Sequence, residues 1–329
     1  MKPKLHGSII VTYRCNARCN MCGVWHFPSK PKEEISPQLI EKLPQMYFAN
    51  VTGGEPFIRL DLPEIIGELR KKAKRIVIST NGFFTGRIIR LCETFPDLGI
   101  RISIEGLQES NDKIRGIPEG YLRTQETLKK LRELGMKDIG FAMTVQDDNR
   151  RDLVPLYEMA REYGYEFATA CVHNSHYFHK WDNKIADKEA AADEFRRLIA
   201  WQLNSSKAKE WFRAYFNYGL INYIYGKKRF LPCEMGDNGF FLDPAGNILA
   251  CNGMEKAAPM GNLKAQSWEE IWNGSRTRQV RRMVKECDKN CWMIGSAAPA
   301  IIHHPVKPII WVLTNKIRVI FGKEPNTRI

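Results

Sequence analysis

Short apolar runs alternate with amphipathic segments over the first half of the chain, a pattern typical of strands and helices around a parallel sheet. The runs are rich in β-branched residues and are followed by polar or glycine-rich turns. They predict six strands, at Ser8–Thr12, Tyr47–Thr52, Arg75–Ser79, Gly99–Ile104, Ile139–Val145 and Glu166–Val172. Strands alternating with helices in this way predict an α/β fold, a partial (β/α)6 barrel that curves without closing.

The segments between these strands show the periodicity of helices. One helix is predicted over Ser36–Met46, where a serine is placed to cap the first turn and a proline follows it. Another is predicted over Leu62–Lys72, and residues 187–225 predict one or two more. After Lys227 the composition changes to glycine, proline, asparagine and cysteine, which predicts a domain boundary at that point.

The end of the chain predicts another amphipathic helix, within His303–Lys323. Helical spacing gathers one apolar face, formed by Ile309, Ile310, Leu313, Ile317, Ile320 and Phe321. Trp311, Val312 and Val319 fall outside that face, so the helix suits burial against the barrel as well as an anionic membrane surface. The chain is therefore divided into a barrel with its following helices (1–226), a small cysteine-rich domain (227–295) and a basic tail (296–329).

Composition narrows the class of protein. The chain has 329 residues, a formal charge of +13 and nine cysteines, and it has no apolar run long enough to span a membrane. Met1–Gly7 is too short and polar for a signal peptide, so a cytoplasmic protein is expected, peripheral at a membrane if the tail binds lipid. From Asn273 onward, the sequence contains eleven lysines and arginines but only three acidic residues. This excess suits an acidic partner, an anionic surface or a phosphorylated substrate, or it forms a solvated basic face.

Three cysteines stand close together just after the first predicted strand. Cys15, Cys19 and Cys22 form a C-x3-C-x2-C loop. Cytosolic cysteines rarely form disulfides, and structural zinc sites normally take four ligands from two segments. Three thiolates from one loop instead leave one iron of a cubane iron–sulfur cluster open to bind a substrate.

This loop resembles the signature of the radical S-adenosylmethionine (SAM) superfamily. The resemblance implies a [4Fe–4S] cluster whose open iron chelates SAM and supplies the electron that cleaves it to a 5′-deoxyadenosyl radical. Motifs at successive strand ends extend the resemblance, because barrel enzymes build their sites there. They are GGEP (Gly53 to Pro56), STNG (Ser79 to Gly82), SIEG (Ser103 to Gly106) and the segment AMTVQDDN with Thr144 and Asn149.

The resemblance assigns roles to individual residues in these motifs. Gly53, Gly54 and Pro56 would shape a close-approach turn, and Glu55 would receive the amino group of SAM. Met21 would pack near the adenine. The hydroxyl, amide and carboxylate groups that suit the ribose hydroxyls and the SAM carboxylate belong to Ser79, Asn81, Ser103, Glu105, Thr144 and Asn149.

A second cysteine set lies in the C-terminal third of the chain, at Cys233, Cys251, Cys287 and Cys291. It resembles the twitch or SPASM extensions of radical SAM enzymes, which implies a second, auxiliary [4Fe–4S] cluster. Full SPASM domains carry more cysteines for two auxiliary clusters, so one auxiliary cluster is expected here. A four-cysteine zinc site is the alternative, because zinc and iron–sulfur sites share the same ligands.

The two isolated cysteines have different surroundings. Cys92 lies on the apolar face of a predicted helix and is expected in the core. Cys171 ends the sixth strand, where its thiol would either donate a hydrogen atom to a substrate radical or merely pack. His173, two residues on, is a candidate base or substrate ligand with the same structural alternative.

The resemblance implies a radical SAM enzyme that abstracts hydrogen from a small, sugar-like or lipid-linked substrate. The auxiliary cluster would assist an oxidation of the dehydrogenase type, with epimerisation as the other outcome. Because the first strand begins at Ser8, no N-terminal leader-binding module is expected, which favours a small substrate over a peptide. An acidic electron donor such as flavodoxin or ferredoxin is the expected partner, and nucleic acid is not. The alternatives are a peptide-modifying maturase and a non-catalytic iron–sulfur or zinc scaffold.

Overall fold

The computed structural model describes residues 5–254 and 256–329, and within them one sheet of nine strands runs through the molecule. The strands are β1 (His6–Ile10), β2 (Met46–Thr52), β3 (Ala73–Thr80), β4 (Gly99–Ser103), β5 (Ile139–Val145), β6 (Glu166–Cys171), β7 (Gly239–Leu242), β8 (Asn247–Leu249) and β9 (Pro259–Asn262). Their order is β6-β5-β4-β3-β2-β1-β7-β8-β9. β1 to β6 are parallel neighbours in chain order, which confirms the predicted α/β fold.

Helices connect and cover these strands. They are α1 (Pro37–Ile40), α2 (Leu62–Arg70), α3 (Thr85–Thr94), α4 (Gln108–Arg115), α5 (Gly120–Glu133), α6 (Leu153–Tyr163), α7 (Lys188–Asn204), α8 (Ala208–Ile224), α9 (Trp268–Asn273), α10 (Ser275–Lys285), α11 (Ile294–His303) and α12 (Val306–Ile320). The segment predicted as one or two helices is thus a pair, α7 and α8, and these two helices pack against each other.

A row of buried branched side chains fixes the register of the barrel strands. Ile9 of β1 lies opposite Val51 of β2, which lies opposite Ile78 of β3. The row continues through Ile100 of β4 to Ile139 of β5, and each of these side chains is buried. A slip of one residue would turn such a row toward the opposite face, so the register is strongly specified. The polar turns that follow the strands are therefore held at one edge of the sheet.

The prediction of a helix over Ser36–Met46 is wrong, because only Pro37–Ile40 is helical and β2 already begins at Met46. Pro44 explains the difference. Its ring removes a backbone donor and disfavours the helical conformation of the residue before it. The apolar periodicity of the segment extends past the proline, whereas its backbone does not.

The cysteine-rich region continues the barrel sheet. β7 pairs in parallel with β1, and β8 and β9 follow in antiparallel order. The segment after the last cysteine is tied to α8 by Trp292, whose buried indole donates a hydrogen bond to the Phe216 carbonyl at 2.9 Å. A Cβ placed on Gly219 of α8 would lie 2.1 Å from that indole. The glycine is therefore required by the close approach of the tryptophan.

We expect Gly219→Ala to destabilise the protein although alanine favours helices. The added methyl group overpacks the contact with Trp292, at a cost of about 1–3 kcal/mol. Gly67→Ala in α2 is the matched control, since no atom lies within 4 Å of its added Cβ and the change should stabilise the helix by about 0.5–1 kcal/mol. Thermal unfolding of the anaerobically purified proteins compares the two. Equal midpoints for both variants would contradict this account of the α8 contact.

Candidate active site

The loop that carries the first three cysteines lies over the carboxyl end of β1 and is fastened to the end of α4. The backbone N–H of Arg18 donates to the Arg115 carbonyl at 3.1 Å, and that of Asn20 donates to the Ile114 carbonyl at 2.9 Å. Cys15, Cys19 and Cys22 all line one cavity of about 230 Å³. The loop therefore presents three thiols to a common space.

Burial controls the protonation of these thiols. It raises the pKa of Cys15 to about 12 and that of Cys22 to about 11, and it raises the pKa of Cys19 as well. The free thiols are thus protonated at neutral pH. Since iron binds the thiolate form, loading a cluster at this loop would release protons.

A glycine turn forms the wall of the cavity beside the thiols. Gly53 and Gly54 line it, and the Gly54 N–H donates to the Thr12 carbonyl at 2.8 Å. A Cβ on Gly54 would lie 2.3 Å from the Arg14 carbonyl oxygen. The backbone of β2 can approach the cysteine loop this closely only because the residue is glycine. Pro56 is buried behind the turn and does not line the cavity.

Glu55 does not occupy the place expected of it. Its carboxylate is fully buried and lies outside the cavity lining. It accepts hydrogen bonds from the Phe57 N–H at 3.0 Å, the Thr80 hydroxyl at 2.8 Å and the Asn81 N–H at 2.7 Å. Burial raises its pKa, and these bonds partly offset that effect. In this arrangement Glu55 braces the end of β3 against the glycine turn.

The ends of β3, β4 and β5 supply the polar wall. Ser79, Asn81, Ser103, Glu105 and Thr144 of these strand ends line the cavity, together with Met21 of the cysteine loop. Asn149, which follows β5, does not line it. It is buried behind the wall, where its amide donates to the Glu105 carbonyl at 2.8 Å and the Thr144 carbonyl at 3.0 Å. It joins the ends of β4 and β5 and so holds two lining residues in place.

Arg115 lines the cavity and was not among the predicted site residues. Its Nη1 donates to Glu105 at 3.0 Å, while its buried Nε has no hydrogen-bond partner among the described residues. Burial disfavours the charged guanidinium, but the nearby Cys19, Glu105 and Cys15 raise its pKa above the ordinary value. A buried cation with an unpaired N–H, beside three thiols, fits an anionic cluster or a carboxylate ligand.

A strap formed by residues 172–186 covers the cavity. The Gly23 N–H donates to the Phe178 carbonyl at 2.7 Å, and the Tyr177 hydroxyl donates to the Gly53 carbonyl at 2.7 Å. The Asn183 amide donates to the Met21 carbonyl at 3.0 Å. The strap is thus bonded to both the cysteine loop and the glycine turn, and its own Val172, His173, Tyr177, Phe178 and Asn183 line the cavity.

His173 and Cys171 differ in where they point. His173 faces the cavity, and burial lowers the pKa of its imidazole below 6.5. Cys171 is fully buried in the apolar core and does not line the cavity. The expectation that its thiol faces the substrate is therefore not met. Cys92 is buried in the core, as expected.

The second cysteine set comes together from three segments. Cys251 interacts electrostatically with Cys233, Cys287 and Cys291. Burial raises the pKa of Cys251 to about 12, and the Gly253 N–H donates to its sulfur at 3.1 Å. The Arg229 guanidinium donates to the Cys291 carbonyl and acts to lower the Cys233 pKa, against the larger effect of burial. A cation beside four thiols fits a site that becomes negative when loaded.

Neither set is arranged around a single ion. Within residues 5–254 and 256–329, no three His, Cys, Asp or Glu side chains converge closely enough to hold one metal ion. The ligand sulfurs of a cubane lie farther apart than those around one ion, because each binds a different iron. The fit to clusters therefore rests on the shared cavity, the adjacent cations and the N–H donors to sulfur.

Two family models match the chain at the places where the cysteines lie. The model of the radical SAM superfamily matches residues 9–160. The SPASM model, an iron–sulfur cluster-binding domain, matches residues 233–292. The first match contains the cavity wall from β1 to β5, and the second contains all four cysteines of the second set.

Curated relatives are distant. A Fe-coproporphyrin III synthase of Methanosarcina barkeri is 28% identical over 57% of this chain and 48% of its own length. The subtilosin biosynthesis protein AlbA of Bacillus subtilis is 26% identical over 87% of this chain and 64% of its own. An AdoMet-dependent heme synthase of M. barkeri is 23% identical, with 85% of both chains covered. The chain spans about half to two thirds of the length of the first two.

Solved structures share the fold. The protein anSMEcpe with bound AdoMet and a peptide superposes with a TM-score of 0.64 at 13% identity, covering 95% of this chain and 99% of that one. SuiB of Streptococcus suis bound to its precursor peptide SuiA gives 0.64 at 14% identity, with 91% and 75% covered. At this identity the likeness extends to the architecture alone.

Replacement of Cys15, Cys19 and Cys22 by alanine should halve the bound iron. Two cubanes give about eight irons per chain, and about four should remain in the triple variant. Anaerobic reconstitution followed by iron and sulfide determination measures this, and the formation of 5′-deoxyadenosine should be abolished. Zinc in place of iron at the second site, in protein purified without air, would contradict the assignment of the auxiliary cluster.

Proposed function

Because the chain belongs to the radical SAM superfamily and carries a SPASM domain, with SAM and two [4Fe–4S] clusters as cofactors, we propose that it oxidises a small, sugar-like or lipid-linked substrate by hydrogen abstraction. The observation that carries the proposal is the strap-covered cavity. Three thiols, a glycine turn, a buried cation and a neutral histidine line this one cavity.

The cluster and SAM, when bound, supply a 5′-deoxyadenosyl radical that removes a hydrogen atom from the substrate. Cys15, Cys19 and Cys22 would hold the cluster, and the Arg115 guanidinium would balance the negative charge gathered beside it. The Gly53 and Gly54 backbone and the polar ends of the strands would hold SAM. The strap would exclude water, which protects a reactive radical from side reactions.

The lining that the strap contributes supports a small substrate. Beyond the strand ends assigned to SAM, the strap places polar His173, Tyr177 and Asn183 next to apolar Val172 and Phe178. A few converging polar groups on an otherwise apolar wall are typical of small-molecule sites. Hydroxyl-bearing rings offer hydrogen-bonding partners to these groups. An acidic electron donor remains the predicted partner and suits the net charge of +13.

His173 is the group in this site best suited to take a proton. Its Nδ1 lies 3.3 Å from the Cys171 carbonyl, which favours a proton on that nitrogen and leaves Nε2 as an acceptor. Oxidation of a carbinol requires loss of the hydroxyl proton after the carbon loses its hydrogen atom. Neutral His173 would accept that proton, and Cys233, Cys251, Cys287 and Cys291 would hold an auxiliary cluster able to take up the remaining electron.

Modification of a peptide is the second candidate. It is supported by curated relatives that are named for bacteriocin biosynthesis or for maturation, among them AlbA and the mycofactocin maturase MftC of Mycobacterium tuberculosis. SuiB, which shares the fold, has been solved with its precursor peptide. A peptide would have to reach the cavity past the strap. Product analysis with candidate extracts distinguishes the two substrate classes.

Cys287→Ala should leave cleavage of SAM measurable and remove the product, because the radical depends on the first cysteine set and turnover on the second. The reduced protein is incubated with SAM and candidate extracts in deuterated buffer, and products are examined by mass spectrometry. Loss of two hydrogens supports oxidation, whereas incorporation of deuterium would indicate epimerisation and overturn it. Wild-type product yield from the variant would exclude a role for the auxiliary cluster in turnover.

His173→Gln should lower product formation by about 10²–10⁴-fold, the usual contribution of a general base, while uncoupled 5′-deoxyadenosine still forms. Because burial lowers the pKa of His173 below 6.5, wild-type activity should stay constant from neutral pH to that value. It should fall only as the pH drops through the lowered pKa and the imidazole becomes charged.

His176→Gln is the matched control, since His176 lies in the same strap and contacts the Met254 carbonyl without lining the cavity. It should retain product formation. Equal losses in the two variants would assign the effect to the strap as a whole and refute the role of His173 as a base.

A further inference from the structure

The last helix, α12, is docked on the body of the protein by one side. The helix contacts α7 and α8, and its buried residues are Pro308, Val312 and Asn315. Trp311 stacks on Tyr218 of α8 with ring centroids 4.7 Å apart. Part of α12 is thus packed on the body of the protein, as the interpretation of a buried helix requires.

The other side of α12 is apolar and exposed. It is the face that helical spacing predicted, and all of its members are exposed: Ile309, Ile310, Leu313, Ile317, Ile320 and Phe321. Val306, at the start of α12, is exposed as well. Their exposed fractions run from 54% for Ile309 to 74% for Phe321. Trp311, Val312 and Val319, which fell outside the predicted face, make the contact with the body instead. A contiguous patch of this kind marks an interaction surface.

A groove adds depth to this surface. It measures about 690 Å³ and runs along the first half of α12, between the helix and Tyr218. Val306 and Ile310 belong both to its wall and to the exposed face. An apolar chain that inserts beside the helix would therefore find apolar contacts on more than one side.

The segment that contains α12 is rich in basic residues. Residues 303–329 contain Lys307, Lys316, Arg318, Lys323 and Arg328 and a single acid, Glu324. Lys316 donates to the Leu203 and Ser205 carbonyls, and Lys307 donates to the Phe230 carbonyl. These carbonyls are neutral, and neither lysine forms an ion pair with another of the residues that the structure describes. Glu234 contacts His303 and His304, which precede the helix.

The combination of an apolar face with nearby basic residues indicates what binds to this face. A protein partner of the apolar face would not require the positive charge, whereas an anionic bilayer offers acyl chains and negative headgroups together. α12 has 15 residues, and no described helix is long and apolar enough to cross a membrane. The helix would lie in the plane of the interface. We propose that this face docks the protein on the surface of an anionic lipid bilayer.

The docking face and the cavity lie at opposite ends of α7. The start of α7 is held near the end of β5, where Asp187 and Ala186 donate backbone hydrogen bonds to Asp147. Its far end is the point at which Lys316 contacts Leu203 and Ser205. A docked molecule would keep its cavity away from the lipid plane. The docking proposal therefore does not depend on the identity of the substrate.

Co-sedimentation of the full-length, cluster-loaded protein with vesicles tests this docking. Phosphatidylcholine vesicles with phosphatidylglycerol should bind the protein at low salt, and vesicles without it should bind less. High salt should weaken the binding, since exposed charges are then screened. The triple variant I310Q/L313Q/I317Q should lose about tenfold or more in partitioning, because the inserted apolar area supplies much of the affinity. The buried contacts of α12 are untouched in this variant.

The matched control is L122Q/L134Q, which changes two exposed leucines of α5 and its end. It should bind anionic vesicles like the unchanged protein, and iron content and 5′-deoxyadenosine formation should be normal in both variants. The proposal is overturned if the full-length protein stays in the supernatant at low salt or if the triple variant binds equally well. It is also overturned if, without lipid, the unchanged protein sediments as a dimer and the triple variant as a monomer. The apolar face would then join two copies of the chain.

Discussion

The candidate site depends on one buried cation. The guanidinium of Arg115 lies among thiols and carboxylates in a place from which water is largely excluded. Burying three thiolates and the carboxylate of SAM in this cavity would be costly without a compensating charge. Arg115 provides it and is fixed by Glu105 at 3.0 Å. Glu105 in turn accepts the Thr144 N–H, so the cation, β4 and β5 form one unit.

Buried hydrogen bonds likewise fix the remaining parts of the site. Glu55 ties the end of β3 to the glycine turn, and Asn149 ties β4 to β5. The strap then closes the space through Tyr177 and Asn183. Around the second cysteine set Arg229 repeats the arrangement of a cation beside thiols. Trp292, packed against Gly219, connects that set to α8 and hence to β6.

Much of this was predictable from the sequence, and the failures have physical causes. The strands were predictable because buried branched rows such as Ile9, Val51 and Ile78 leave a clear pattern. The prediction of a helix after Ser36 failed because of Pro44, whose effect on the backbone outweighs the apolar periodicity. Arg115 sits in a polar helix, where spacing alone cannot distinguish a buried cation from a solvated one. Its charge, only ten residues after Glu105, was the available signal. The direction of Cys171 depends on which side of β6 is covered by α8, and that contact is non-local.

The central claim is that the cavity beside Arg115 joins the three-cysteine cluster to SAM, while the second cluster stays apart. Electron paramagnetic resonance of the reduced protein, recorded while SAM is added, tests it most directly. The account predicts two overlapping [4Fe–4S]⁺ signals, of which only the one lost in the variant lacking Cys15, Cys19 and Cys22 shifts with SAM. Spectra that do not change with SAM, or a shift that persists in that variant, would contradict it.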